Sequence, residues 1–240
     1  MINSPANPAD ATPESIAAAY ERDGYWIAPD LLSPRECDEL KEESLRVLQG
    51  HCRPGASVFV GAAAASPRFY QLAGDPRIVN LLRHLMPEGV MFMSDKIVFK
   101  SAQKQTPTPW HIDAFYWRNT RPKISVWIPL DDSMAENGTL IVVPGSHRHL
   151  WGDPDAGNDP ALRGEFVNVI RKRPWKPEEE VICEIRRGSA IFFSDMLAHA
   201  SCENRAGKDR YSIIGTYHAP AEDEPFDLQF PARHRLVPQP

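Results

Sequence analysis

The run V-M-F-M-S-D-K-I-V-F-K, Val90 to Lys100, is where the texture of the chain changes. It is rich in β-branched and aromatic residues, it follows Pro87 and Gly89, and it reads as a strand. Upstream the signals are helical. Thr12-Pro13 is an N-cap followed by a first helical residue, opening a helix to about Glu21 that Gly24 ends. Ser33-Pro34-Arg35-Glu36 is a capping box, opening a helix to Gln49 that stops at Gly50. Asp75-Pro76 opens a third, with Ile78, Leu81, Leu82 and Leu85 at helical spacing. Tyr25-Trp26-Ile27 is a short strand between the first two helices. Downstream of Lys100 the strands continue: Lys123 to Leu130, Thr139 to Val143, Val181 to Ile185, Ala190 to Phe193 and Tyr211 to Tyr217. Asn137-Gly138, Pro144-Gly145 and Arg187-Gly188 punctuate them. Helices first and short strands afterwards imply an α+β chain, mainly β, with a sandwich or jelly-roll core and N-terminal helices packed on it.

The 240 residues are enough for one sizeable core. Residues 1–12, rich in Pro, Asn and Ala, are expected to be disordered, and residues 13–240 to form a single domain. A net charge of −5 gives no electrostatic case for nucleic acid. The 23 prolines argue against a helical bundle. Cys37, Cys52, Cys183 and Cys202 form no C-x-x-C pair, which disfavours a structural zinc site or a disulfide scaffold. The N-terminus lacks the basic start and apolar core of a signal peptide, and no apolar run approaches the ~20 residues of a membrane helix. The expected setting is the cytoplasm, with a small molecule as partner, no membrane, and an oligomeric state that the sequence leaves open.

Inside the β-rich part lies W-H-I-D-A-F-Y-W, Trp110 to Trp117. On a strand, residues i and i+2 share a face, so His111 and Asp113 could reach one metal. They could equally be two polar residues that strand parity happens to align. Two histidines and a carboxylate with open positions form the site of non-heme Fe(II) oxygenases. Among the other histidines, His51 precedes the β-rich part, His84 lies in a helix, His234 in the tail, and His147 and His149 in a turn. His199, just after I-F-F-S-D, is the best third ligand. Arg210, at the head of Y-S-I-I-G-T-Y, could clamp a carboxylate with two parallel hydrogen bonds.

Four ordered motifs then resemble the phytanoyl-CoA dioxygenase family. They are D-G-Y-W-I-A-P-D-L-L-S-P-R-E-C-D-E-L (23–40), W-H-I-D (110–113), N-G-T-L-I-V-V-P-G-S-H-R (137–148) and H-A-S-C-E-N-R-A-G-K-D-R (199–210). The resemblance implies a double-stranded β-helix, a jelly-roll of the cupin-like kind, and an Fe(II)- and 2-oxoglutarate-dependent oxygenase that uses O2. It implies His111, Asp113 and His199 as iron ligands and Arg210 as the anchor of the distal carboxylate of 2-oxoglutarate. Ser201 and Trp127 would support the cosubstrate. Lys96 would be a further cosubstrate contact, or else a strand lysine reaching water. The implied reaction is hydroxylation of a small molecule with release of succinate and CO2. Related iron halogenases have Ala or Gly where Asp113 stands, so halogenation is disfavoured. Desaturation, epimerisation and ring closure use the same iron site, and a non-catalytic metal-binding β-barrel is the alternative of another class.

The remaining residues divide between packing and pocket. Phe115 and Trp117 would share the face of His111 and Asp113 if the strand continues. Tyr70, Trp151 and Arg171 are weaker candidates for substrate contact. The cluster Arg171, Lys172, Arg173 and Lys176 reads as a solvated loop or as a lid for an anionic substrate, and His51 and Arg53 could serve the same end. His147 and Asn204 read as architectural, and Cys202 as packing.

Overall fold

The computed structural model describes residues 12–51, 57–103, 107–117, 120–156, 168–220 and 234–237. Residues 1–11 and Arg53 fall outside them. Among the described residues five α-helices precede most of the strands: α1 (Pro13–Asp23), α2 (Pro34–His51), α3 (Ala62–Ala65), α4 (Pro67–Ala73) and α5 (Pro76–Leu85). The strands are β1 (Tyr25–Ala28), β2 (Val58–Val60), β3 (Val90–Lys100), β4 (Lys123–Pro129), β5 (Leu140–Val142), β6 (Asp155–Ala156), β7 (Asn168–Val169), β8 (Val181–Ile182), β9 (Ala190–Ser194), β10 (His199–Ser201), β11 (Arg210–His218) and β12 (His234–Val237).

The expected helices start where their caps stand. The Thr12 hydroxyl accepts the Ser15 N–H at 3.3 Å, and Gly24 ends α1 in the left-handed region at φ +80°, donating its N–H to Tyr20 O. Ser33 and Glu36 close the capping box of α2 by reciprocal hydrogen bonds of 2.7 and 3.3 Å. The sequence reading missed the short α3 and α4, the two-residue strands β6 and β7, and the strands β2, β10 and β12. Strands of two to four residues carry too few alternations for a period to show.

The larger antiparallel sheet runs β1-β9-β4-β11-β3-β12, with β2 also on β3; a smaller sheet runs β10-β5-β8. The chain passes between them, with β4 in the large sheet, β5 and β8 in the small one, β9 in the large, β10 in the small and β11 in the large. Strand parity then gives the large sheet two faces. Val126, Ile128, Phe192 and Ile213 pack with Leu40, Phe69, Ile78 and Leu82 of α2, α4 and α5. Trp127, Ile191 and Phe193 point the other way and pack with Leu140 and Val142 of the small sheet. In β3 the register against β11 slips between Thr216 and Tyr217, where Ser94 and Phe92 are the successive partners and Met93 is the extra residue. This bulge re-aims β3, so that Phe92 joins the helix-side core while Ser94, Lys96, Val98 and Lys100 line a cavity between the sheets.

Candidate active site

The small sheet builds the centre of the site. His199 of β10 pairs with Val142 of β5 on one side. On the other side His199 pairs with His111, each donating its N–H to the other's carbonyl at 3.0 Å. The W-H-I-D segment therefore adds one residue of strand to the edge of this sheet. It does not continue as the strand that parity suggested, because Asp113 opens a 3-10 helix over Asp113–Tyr116. The turn is fixed by the Ala114 N–H, which donates to Asp195 O at 2.9 Å. It swings the Asp113 carboxylate back towards the two imidazoles.

The result is a buried cluster in which ligand atoms of His111, Asp113 and His199 lie within 4.8 Å of one another, an arrangement that could hold a metal ion. Both rings are oriented from behind. His111 Nδ1–H donates to Pro109 O at 2.8 Å and His199 Nδ1–H to Leu197 O at 2.9 Å, which leaves each Nε2 as a lone-pair donor. Burial pushes His111 down to about 3, with the His199 charge adding and Asp113 opposing, and burial lowers His199 as well. Both imidazoles are thus neutral at neutral pH, the form a metal needs. Burial opposes ionisation of Asp113, but Lys96, His199, His111 and the Ser125 hydrogen bond prevail and hold it at about 2. The Ser125 hydroxyl donates to Asp113 Oδ2 at 2.8 Å, leaving Oδ1 towards the imidazoles, 3.9 Å from His111 Nε2.

The triad opens on a cavity of about 500 Å³. Arg210 stands at its closed end, with only 2% of its surface exposed. Its Nε and Nη1 have no hydrogen-bond partner among the described residues. Its guanidinium lies over the Trp127 ring at 5.4 Å, and Trp127 is itself fixed by an Nε1–H bond of 3.1 Å to the Ser212 hydroxyl. Ser201 faces the same space, its hydroxyl accepting the Thr108 N–H at 2.9 Å. Lys100, the cross-strand partner of Arg210, also lines the cavity. Gly138, at φ +91°, makes room for it, since a Cβ there would run into the Lys100 side chain.

Of the sequence candidates, His111, Asp113, His199, Arg210, Ser201, Trp127, Lys96 and Trp117 all line this one cavity. Phe115 does not share the face of the ligands. The 3-10 turn sends it into a separate apolar cluster with Trp110 and Ile112, against which Trp151 also packs. Tyr70 is an exposed residue of α4, and Arg171 is exposed as well; neither lines the cavity. The basic loop is tied down at Arg173, whose guanidinium lies over Trp110 at 5.5 Å and pairs with Glu180 at 3.3 Å. Asn204 holds a loop together by donating to Lys100 O and Lys208 O. His147 and Arg148 bond the last carbonyls of α1, Glu21 O at 3.1 Å and Arg22 O at 2.7 Å, so the P-G-S-H-R hallmark clasps the first helix.

Sequence reasoning missed Ser125, Lys100 and Thr108. For the first two the signal was present. Ser125 is two residues from Trp127, and Lys100 four from Lys96, on strands where even spacing means one face. Thr108 enters from a loop and left none.

Two imidazoles and a carboxylate beside a buried arginine with unmet donors define a class: non-heme Fe(II) enzymes that take 2-oxoglutarate as cosubstrate. The comparisons agree. The chain belongs to the phytanoyl-CoA dioxygenase family, whose model matches residues 20–212. It is 25% identical to the ectoine dioxygenase of Sphingopyxis alaskensis, covering 90% of this chain and 79% of that protein. The peroxisomal phytanoyl-CoA dioxygenase of Rattus norvegicus is 22% identical over 90% of this chain and 75% of its own. Among solved structures, the epimerase SnoN in complex with Fe3+, alpha ketoglutarate and nogalamycin RO matches with a TM-score of 0.69 at 28% identity. That match covers 88% of this chain and 84% of SnoN. The protein is an enzyme of this class, with Fe(II), 2-oxoglutarate and O2 as its cofactors. Among the described residues no helix is long and apolar enough to cross a membrane.

Proposed function

We propose that the protein hydroxylates a small molecule at an unactivated C–H bond, releasing succinate and CO2. His111, Asp113 and His199 are the iron ligands in this reading, Arg210 anchors the distal carboxylate of 2-oxoglutarate, and Ser201 and Trp127 support it. Residues 13–240 act as one dioxygenase domain. The passage of successive strands between two facing sheets supports a double-stranded β-helix for its core.

Arg210 is the observation that carries the proposal. A guanidinium buried with two idle donors costs stability unless an anion arrives with acceptors. Its planar fork suits a carboxylate bidentately. Iron(II) and 2-oxoglutarate held by these residues would supply the oxidising chemistry of the reaction. The chain supplies position and exclusion. The Pro109 and Leu197 carbonyls fix both rings with Nε2 free, and Ser125 leaves one Asp113 oxygen free, the three atoms that would hold the metal. Trp127, Phe193 and Ile214 give the site apolar walls. Asp113 fills the place a halide would take, which favours hydroxylation over halogenation. One observation favours a second outcome at the same iron site. The likeness to SnoN, an epimerase, admits epimerisation of the substrate, with ring closure and desaturation as related outcomes.

Metal analysis combined with a 2-oxoglutarate titration tests the proposal. Iron-loaded protein that binds 2-oxoglutarate saturably is the expected result. Metal-loaded protein with no affinity for it would make the chain a non-catalytic metal-binding module.

A further inference from the structure

We propose that the substrate is a small organic anion with an apolar body, and that Lys96 binds its anionic group. This rests on the reading of Arg210 as the cosubstrate anchor.

The cavity has two cationic ends. Arg210 and Lys100 are cross-strand partners at the closed end, and both are buried. Lys96 lies on the same face of β3, four residues along, which is about 13 Å of strand. Its neighbours place it at the open end. Val60, its cross-strand partner on β2, is 55% exposed, and Tyr116 is 41% exposed; both line the cavity. The Lys96 ammonium lies over the Trp117 ring at 5.3 Å and 4.0 Å from Asp113 Oδ1. It is therefore level with the metal ligands, where a substrate must sit to be oxidised, and away from the arginine. On this proposal Lys96 serves the substrate, in place of the cosubstrate contact or the strand lysine reaching water that the sequence offered.

Two features argue that this lysine awaits an anion. It makes no hydrogen bond among the described residues, and its one ionic contact, to Asp113, is at the limit of range. Asp113 already has Ser125, and a metal dication would take over the task of balancing its charge. The charge of the cavity points the same way. Even with Lys100 set aside, the described residues of its lining hold the cations Lys96 and Arg210 against the carboxylate Asp113. A metal dication and a cosubstrate dianion cancel, so the loaded site keeps an excess of positive charge. Around Lys96 the walls are mainly apolar, with Val58, Val60, Trp117 and Ile214 beside the hydroxyls of Ser94 and Thr216. The cavity of about 500 Å³ takes the cosubstrate together with the reacting part of the substrate.

The test uses the full chain loaded anaerobically with Fe(II) and 2-oxoglutarate. Matched phenylalkyl and alkyl carboxylates, with their neutral amides, are titrated by calorimetry. At least one acid is expected to bind about tenfold or more tightly than its amide, the size of one charge-assisted hydrogen bond. That preference should vanish in Lys96→Met and return in Lys96→Arg, while both metal-loaded variants still bind 2-oxoglutarate saturably, since the proposal places no cosubstrate hydrogen bond on Lys96. If no acid outbinds its amide, or the preference survives Lys96→Met, the proposal is overturned. Loss of 2-oxoglutarate binding in Lys96→Met also overturns it, by returning the lysine to the cosubstrate. Wild-type protein that binds no 2-oxoglutarate would instead defeat the functional reading beneath it.

Discussion

Replacing Arg210 with methionine should do two opposite things at once. In the absence of ligand the guanidinium is a liability. Burial pushes it down from its ordinary value to about 10, against the pull of the Asp131 charge. At about 1.4 kcal/mol per pH unit, that depression corresponds to about 3 kcal/mol set against the charged form. Arg210→Met removes the charge and the idle donors while keeping an apolar stem against Trp127. The apoprotein should be stabilised, by less than that figure because methionine leaves some space unfilled. A rise in Tm of a few degrees is the expected size for a domain of this length. Binding should move the other way. Two hydrogen bonds between charged groups are worth roughly 3–6 kcal/mol together, so the affinity for 2-oxoglutarate should fall by roughly two to four orders of magnitude. Calorimetric unfolding of the apoprotein and a 2-oxoglutarate titration of the metal-loaded protein read the two effects separately. A variant that binds 2-oxoglutarate like the wild type, or whose apoprotein melts several degrees lower, would refute the reasoning. Arg210 would then be a structural residue with a partner elsewhere.

Ser125→Ala removes the hydroxyl that fixes Asp113 Oδ2 at 2.8 Å and should lower metal affinity by roughly 10- to 100-fold without unfolding the chain, as read by competition with a chelator. Asp95 gives a pH signature. Burial raises its carboxyl from 3.8 to about 6, against the bonds from Ala63 and Ala62. The folded state therefore holds this proton more tightly than the unfolded state, and stability falls as pH rises from about 4 to about 6. Asp95→Asn keeps an acceptor for the Ala63 N–H and should stabilise the protein by up to about 3 kcal/mol above pH 6, with little effect near pH 4. Denaturant titrations at the two pH values check it, and an equal effect at both would show that the acid carries no such penalty.

What could be read in the sequence was what local chemistry dictates. Helix caps at Thr12, Ser33 and Asp75 announced α1, α2 and α5, because a cap and its partner lie within one turn. The long strands β3, β4 and β11 were legible because each has enough residues to show its character. The cluster of His111, Asp113 and His199 was legible as residue types in ordered motifs, but its geometry was not. Strand parity was the wrong reason for His111 and Asp113 to meet. Their meeting depends on a bridge to His199 and on a turn pinned by Asp195 O, both of which are long-range contacts. The same turn sent Phe115 to the core and Trp117 to the cavity, a split that alternation could not foresee. The bulge at Met93, which sets the face of Lys96 and Lys100, is likewise invisible until β11 is laid against β3.

Succinate formation tests the central claim most directly. Wild-type protein given a substrate should produce succinate only when Fe(II), 2-oxoglutarate and O2 are all present, and His111→Ala should abolish it. Succinate released without iron, or at the wild-type rate by His111→Ala, would contradict the assignment of the His111–Asp113–His199 centre.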